Sequence, residues 1–362
     1  MPVSDRKQVA NEMQYVRLGS SGLKISQIIL GCICFGSPEW RDWALPSEES
    51  TEIIKAAYDA GVNTFETSYH YSRGQSEIVL GEALRRLSIP RDSVVIMTRV
   101  IHIFSQYKLE IGGAGPNRGH EGDRTQGPLS RKNIMNGVKS SLERLQMDYI
   151  DVLHCAYFDE ETPIAETMRA LHDVVQAGYV RYIGMAPCWA YQYYAITHNL
   201  TPFISAQSYY SLVYREDERE MFPTMKHFGV GVIAIAPLSG KLLSRPYTET
   251  RTMDPGYASL LRCPRPLDSL FIGGSSVRVV GSLERVVKSQ RMSMGQVAVS
   301  WVLNKKAITA TVISAPNLDV FLDYIDASKV KLASSYRRLL EEHYQPRAPA
   351  DHVSFGNSQD VY

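Results

Sequence analysis

Glu66 and Tyr71 stand five residues apart in the stretch Asn63-Thr64-Phe65-Glu66-Thr67-Ser68-Tyr69-His70-Tyr71-Ser72-Arg73-Gly74-Gln75-Ser76-Glu77. A carboxylate and a phenol are the residue types of general acid–base chemistry. Val62 to Thr67 reads as a short buried strand closed by Glu66, and the polar, Gly-containing run after it reads as a loop that carries Tyr71. Ser76 opens a helix with the pattern SEIVLGEALRRL. A strand end followed by a loop rich in ionisable groups is where an α/β barrel keeps its chemistry. His70 lies beside Tyr71, and His102 follows a later strand. Each is a loop histidine that either touches a substrate or is plain surface.

The elements around this stretch alternate. Tyr15–Gly19 and Leu23–Ser26, joined by Ser20-Ser21-Gly22, read as a hairpin. The near-continuous apolar run 28–34 predicts a strand covered on both faces. Further strands are predicted at 62–67, 93–99, 149–154, 180–185, 203–207, 230–235 and 309–313. Amphipathic helices fall between them, among them Glu48 to Ala60, Arg131 to Leu145 and Ile164 to Gln176. About eight β–α units imply a (β/α)8 TIM barrel with an N-terminal hairpin plug. The rhythm is interrupted at 105–129 and 239–279, which predict long loops on the C-terminal face. The expected division is a disordered N-terminus at 1–13, a barrel at 14–345 and a C-terminal tail at 346–362.

Composition narrows the partners. The chain has 362 residues, 44% hydrophobic and 21% charged, with a formal net charge of +1. That balance gives no reason to expect nucleic acid or a membrane surface as a partner. The polar start MPVSDRKQVANEMQ has no apolar core for a secretory signal, and no run approaches a membrane span of ~20 apolar residues. The five cysteines, Cys32, Cys34, Cys155, Cys188 and Cys263, lie mostly in apolar stretches and predict buried thiols in a reducing cytoplasm. Cys32 and Cys34 fall within the predicted first strand with no matching His/Cys cluster, so no metal site is expected. The oligomeric state is not legible.

Several segments together resemble the aldo-keto reductases: VRLGSSGLKIS, LGCICFG, NTFETSYHYSRGQSE, DSVVIMTRV, SLERLQMDYIDVLH, GYVRYIG and GVGVIAIAPLSGKLL. The branch is similar to aryl-alcohol dehydrogenases and channel β-subunits. The resemblance implies an Asp–Tyr–Lys–His site that reduces a carbonyl with NADPH. In this chain Tyr71 is kept, Glu66 stands at the Asp place, Arg99 at the Lys place and Ala156 at the His place. The implied nicotinamide contacts are Gln207, which is kept, and a Ser-Asn pair that here is Ala186 and Pro187. The implied 2′-phosphate cations are replaced in Ser314-Ala315-Pro316-Asn317 and at Val320. The resemblance also implies substrate-facing positions at Ile33 in the first strand and at Trp40 and Trp43 just past it, with Trp189 after the fifth.

His154, two residues before Ala156 on one strand, points inward with it. It is either a replacement imidazole or a hydrogen-bonded core histidine. With so many cofactor positions altered, the expectation is a non-redox enzyme without a cofactor. Tyr71 and Glu66 would be its acid and base, and Arg99 would lower the phenol's pKa. It would open or rearrange an epoxide, dehydrate, isomerise or cyclise an apolar or aromatic small molecule of secondary metabolism. An NADPH-dependent aldo-keto reductase is the second expectation and a non-catalytic binding subunit the third.

Overall fold

The computed structural model describes residues 13–100, 127, 129–155, 158–159, 161–185, 188–250 and 274–347. Eight parallel strands close into a barrel. In chain order they are β3 (Ile28–Gly31), β4 (Thr64–Glu66), β5 (Val95–Val100), β6 (Ile150–Cys155), β7 (Val180–Met185), β8 (Phe203–Tyr209), β9 (Gly231–Ile235) and β10 (Ile308–Ile313). Closure is made where β10 pairs with both β9 and β3. The hairpin β1 (Tyr15–Arg17) and β2 (Lys24–Ser26) precedes it as a separate two-stranded sheet.

The helices that cover the barrel are α1 (Ser47–Asp59), α2 (Gln75–Arg86), α3 (Arg131–Leu145), α4 (Ile164–Gln176), α5 (Trp189–Thr197) and α6 (Met221–Phe228), then α7 (Gly274–Gln290), α8 (Met294–Leu303), α9 (Leu318–Ile325) and α10 (Ser334–Glu341). Their buried faces, such as Ile53, Ile54 and Ala57 of α1 and Met168, Leu171 and Val174 of α4, enter one large core outside the strands. No described helix is long and apolar enough to cross a membrane.

A second, smaller core fills the barrel's lower interior. Ile29, Val95, Met97, Val152, Ile233, Ala310 and Val312 meet there with Leu18 and Ile25 of the hairpin. Both hairpin residues are fully buried, so the hairpin seals the N-terminal end as the sequence predicts. Ser20 N–H donates to Gly229 O at 2.7 Å, and Ser26 N–H to Asn63 Oδ1 at 2.8 Å, pinning the plug to the strand starts.

The first strand is shorter than expected. β3 ends at Gly31, and Cys32–Cys34 form a 3-10 turn instead of continuing the strand to residue 34. Ser314 Oγ and Val312 Cγ1 would lie 2.4 and 2.7 Å from a Cβ on Gly31. The chain is drawn close to β10 at that point and then turns away. The four described cysteines are free, with Cys32, Cys34 and Cys155 buried and Cys188 half-buried. The parts of the predicted loops at 101–126 and 251–273, the N-terminal residues 1–12 and the tail 348–362 lie outside the described residues.

Helix packing around the barrel has little slack. A Cβ on Gly81 of α2 would lie 2.1 Å from Leu145 O at the end of α3, whereas one on Gly137 of α3 would meet Val100 Cγ2 at an ordinary 3.8 Å. Gly81→Ala is expected to cost about 1–3 kcal/mol in urea unfolding through overpacking against backbone. Gly137→Ala is expected to be neutral or to stabilise by up to about 1 kcal/mol, as helix propensity dictates.

Candidate active site

Above the apolar floor the barrel turns polar. Glu66 ends β4, Arg99 lies near the end of β5, and His154 is Arg99's register partner on β6. Gly184 on β7 and Ser205 on β8 continue the same level round the wall. Arg99 donates to Glu66 Oε1 from Nε at 2.9 Å and from Nη2 at 2.6 Å. Tyr71 Oη donates to the same carboxylate, 3.1 Å from Oε1 and 3.4 Å from Oε2. The structure therefore brings Glu66, Tyr71 and Arg99 together. A buried ion pair of this kind is held by its geometry, because desolvating two charges offsets much of their attraction.

Local sequence explains how Tyr71 reaches back to the strand end. Ser72 and Arg73 both adopt left-handed backbone, φ 52° and 55°. For residues other than Gly this costs on the order of 1 kcal/mol or more each. Ser72 Oγ accepts from Ser37 N–H at 2.9 Å, which ties the bend to the loop after β3. Ser76 Oγ donates to Cys32 O at 2.7 Å and lies 2.9 Å from Thr67 Oγ1, stitching the start of α2 to the ends of β3 and β4.

Glu77, which the sequence reading passed over, supports the other side. It is fully buried in the first turn of α2 and accepts from Thr98 Oγ1 and from Arg144 Nε, each at 2.6 Å. Thr98 immediately precedes Arg99 on β5, so this buried acid steadies the strand that aims the guanidinium. An acid opening a helix is common in sequences. Nothing in the pattern names partners at the distant positions 98 and 144.

Electrostatics depart from expectation at Tyr71. Its phenol pKa is raised, first by burial, and the carboxylate of Glu66 adds to the rise. The positive charge of Arg99 opposes this without reversing it, so the predicted lowering of the phenol is corrected. Burial also raises the Glu66 carboxyl against the pull of Arg99. His154 is 1% exposed, and burial, then the charge of Arg99, pushes its imidazole down to about 3. Its Nε2 lies 3.1 Å from Ser205 Oγ in the space that the missing side chain of Gly184 leaves. His70, stacked on Tyr69 with centroids 4.6 Å apart, is pushed down to about 4 by burial and by Arg99. Both imidazoles are neutral at physiological pH, and Glu66 and Arg99 cancel.

Ile33 and Trp43 are half-buried against the large core, and Trp40 meets Trp43 edge-on at 5.4 Å. Trp189 opens α5 with 52% of its surface exposed. On that helix Tyr191 is buried and Tyr193 is exposed, so helix–barrel packing accounts for the first and not the second. His102, Ala156, Ala186 and Pro187 lie outside the described residues. Among the described residues no group of three or more His, Cys, Asp or Glu is placed to hold a metal ion.

A nicotinamide dinucleotide fits part of this surface. Gln207 on β8 is buried at 6% exposure, and its amide Nε2 has no hydrogen-bond partner among the described residues. A buried amide left unpaired costs about 1–3 kcal/mol, which a carboxamide ligand would recover. The turn after β9 has left-handed backbone at Ser239 and Gly240, and a Cβ on Gly240 would meet nothing within 4 Å. The corner after β10 offers Asn317, whose side chain is already accepting from Val320 N–H at 2.9 Å.

The ion pair makes a pH prediction. Arg99→Leu leaves Glu66 buried without its cation, a loss of about 3–5 kcal/mol when the carboxyl is ionised. Because the folded-state pKa of Glu66 is already raised and rises further without Arg99, the folded protein holds this proton to higher pH than the unfolded chain. Stability of the variant therefore falls as pH rises through that window. Urea unfolding of Arg99→Leu relative to wild type is expected to show a larger deficit at pH 8 than at pH 5.

Residues 27–345 match the model of the aldo/keto reductase family. The chain is 38% identical to the aldo-keto reductase AFTS1 of Alternaria alternata, over 97% of this chain and 98% of that protein. It is 37% identical to the versiconal hemiacetal acetate reductase of Aspergillus parasiticus, over 93% and 98%. It is 36% identical to the aldo-keto reductase dtxS3 of Metarhizium robertsii, over 94% of each. These relatives overturn the expected non-redox chemistry and the expected lack of a cofactor, and they favour the second expectation, a reductase dependent on a nicotinamide nucleotide. The side-chain changes at Ala156, Ala186 and Pro187 leave in place the Tyr71–Glu66–Arg99 cluster and the Gln207 amide. With the match spanning nearly the whole barrel, the chain belongs to the aldo/keto reductase family of oxidoreductases.

Proposed function

We propose that this protein is a nicotinamide-dinucleotide-dependent reductase of small, uncharged aldehydes or ketones, apolar or aromatic in character and drawn from secondary metabolism. The observation that carries the proposal is the Tyr71 hydroxyl held on the Glu66 carboxylate that Arg99 also grips. Reductase names among relatives matched over almost their full length support it.

When bound, the nicotinamide supplies hydride. Tyr71 keeps its proton at neutral pH because burial and Glu66 raise its pKa. It gives that proton up only to an oxygen that is becoming an alkoxide, a stronger base than a resting carbonyl. The positive charge of Arg99 steadies the phenolate left behind, the role in which its permanent charge is useful. Ion-pair neutrality and two uncharged imidazoles favour a neutral carbonyl over a carboxylate-bearing one. Trp40 and Trp43 offer flat apolar surface past the first barrel strand.

The test is steady-state reduction of aromatic and aliphatic aldehydes, read as consumption of NADH or NADPH. Tyr71→Phe is expected to lower kcat by about tenfold or more, since proton donation contributes at least that much. Its nucleotide Kd should not change. Wild-type turnover of no carbonyl with either nucleotide would remove the reading, and an unchanged kcat in the variant would remove Tyr71 as the donor.

A further inference from the structure

Three successive residues after Tyr71 hold left-handed backbone: Ser72 at φ 52°, Arg73 at φ 55° and Gly74 at φ 88°. Glycine adopts this region freely, but residues with a Cβ visit it singly and at a cost. Such a run persists only where its surroundings over-determine it. It also decides where Tyr71 stands. α2 opens at Gln75, and Ser76 Oγ is already fixed on Cys32 O at 2.7 Å. With that end anchored, a relaxed backbone at 72–74 would carry the Tyr71 ring off the Glu66 carboxylate.

The turn is gripped from two sides. On the β3 side, a Cβ on Gly36 would stand 2.2 Å from Ser72 Cβ and Oγ, and Ser37 N–H donates to Ser72 Oγ. On the other side lies Arg144, in the last turn of α3. A Cβ on Gly74 would be 2.8 Å from Arg144 Cδ and 3.0 Å from its Nε, so the arginine stem is pressed on the backbone of the turn. The same guanidinium lies over the Tyr69 ring, 5.8 Å from its centroid, and Tyr69 is stacked on His70. Arg144 therefore meets the donor loop on both flanks of Tyr71.

A long side chain braces nothing until its own rotamer freedom is removed. Glu77 removes it. This carboxylate has no exposed surface, and it accepts from Arg144 Nε and from Thr98 Oγ1, each at 2.6 Å. Ser141 Oγ accepts from Arg144 Nη2 at 3.3 Å. Since Thr98 precedes Arg99 on β5, one buried acid ties the loop of the phenol to the strand of the cation.

We propose that the Glu77–Arg144 ion pair positions the proton donor: it holds the left-handed turn at 72–74, and through that turn it keeps the Tyr71 hydroxyl on Glu66. The proposal rests on the reading of Tyr71 as the donor. Arg144→Ala alone would strand the buried Glu77 charge, so it is made together with Glu77→Gln, which still accepts from Thr98. In the full-length Glu77→Gln/Arg144→Ala protein, kcat for a carbonyl that wild type reduces is expected to fall by about tenfold or more, as misplacing a reacting group does. The carbonyl KM and the nucleotide Kd should not change, because the donor's reach matters in the transition state. Amide hydrogen exchange across 68–76 should quicken by about tenfold or more while that of α8 stays at the wild-type rate. Adding Arg73→Gly, at an exposed position where glycine takes the left-handed backbone without strain, is expected to restore part of both losses. A general loss of stability would not be recovered by a glycine. Unchanged kcat or unchanged exchange across 68–76 overturns the proposal and leaves the reductase reading standing. A kcat loss that Arg73→Gly does not lessen overturns it too, since the pair then acts other than through the turn. Wild-type turnover of no carbonyl removes the reductase reading and the positioning role together.

Discussion

A carboxylate with 1% of its surface exposed stays ionised inside a barrel only with a cation against it, and Arg99 is that cation for Glu66. Most of the site's order follows from this pairing. It fixes the end of β4 to the adjacent β5, gives Tyr71 an acceptor, and adds the charge of Arg99 to the burial that keeps His70 and His154 uncharged. Buried Glu77 acts on the same strand from the far side through Thr98. Two buried acids thus hold one strand end, one by gripping its arginine and one by gripping the residue before it.

The barrel interior is graded along its axis. The hairpin and the lower strand residues pack as hydrocarbon, where any unpaired polar group would be costly. One layer higher stand Arg99, His154, Ser205 and Gln207, whose polar atoms need partners. Some find them in one another and some do not. The amide of Gln207 and Nδ1 of His154 remain without hydrogen bonds among the described residues, above a layer that is otherwise closed.

Much of this was legible in the order of residues. Alternating apolar runs and amphipathic segments imply the barrel. Glu66 and Tyr71 were readable from a strand end and the short loop after it, and the resemblance to the aldo-keto reductases added Arg99 to them. The break at Gly31 was not readable, since an apolar run such as Ile28–Cys34 looks alike whether it stays extended or turns. Nor was the sign of the Tyr71 shift, which depends on how far burial outweighs a neighbouring charge. Glu77 has ordinary sequence company, and its value comes from residues brought to it by the fold. The functional expectation erred for a related reason. Missing side chains at Ala156, Ala186 and Pro187 are conspicuous in a sequence, whereas the burial of the Gln207 amide without a partner among the described residues is silent there.

Sealing the barrel's lower end with Leu18 and Ile25 has a kinetic corollary. A vessel closed at the bottom is loaded and emptied through a single opening. When two molecules must occupy it at different depths, the deeper one enters first and departs last. Traffic of this kind yields a compulsory order of addition and release. The hairpin, which touches no reacting atom, would thereby impose a queue on the reaction.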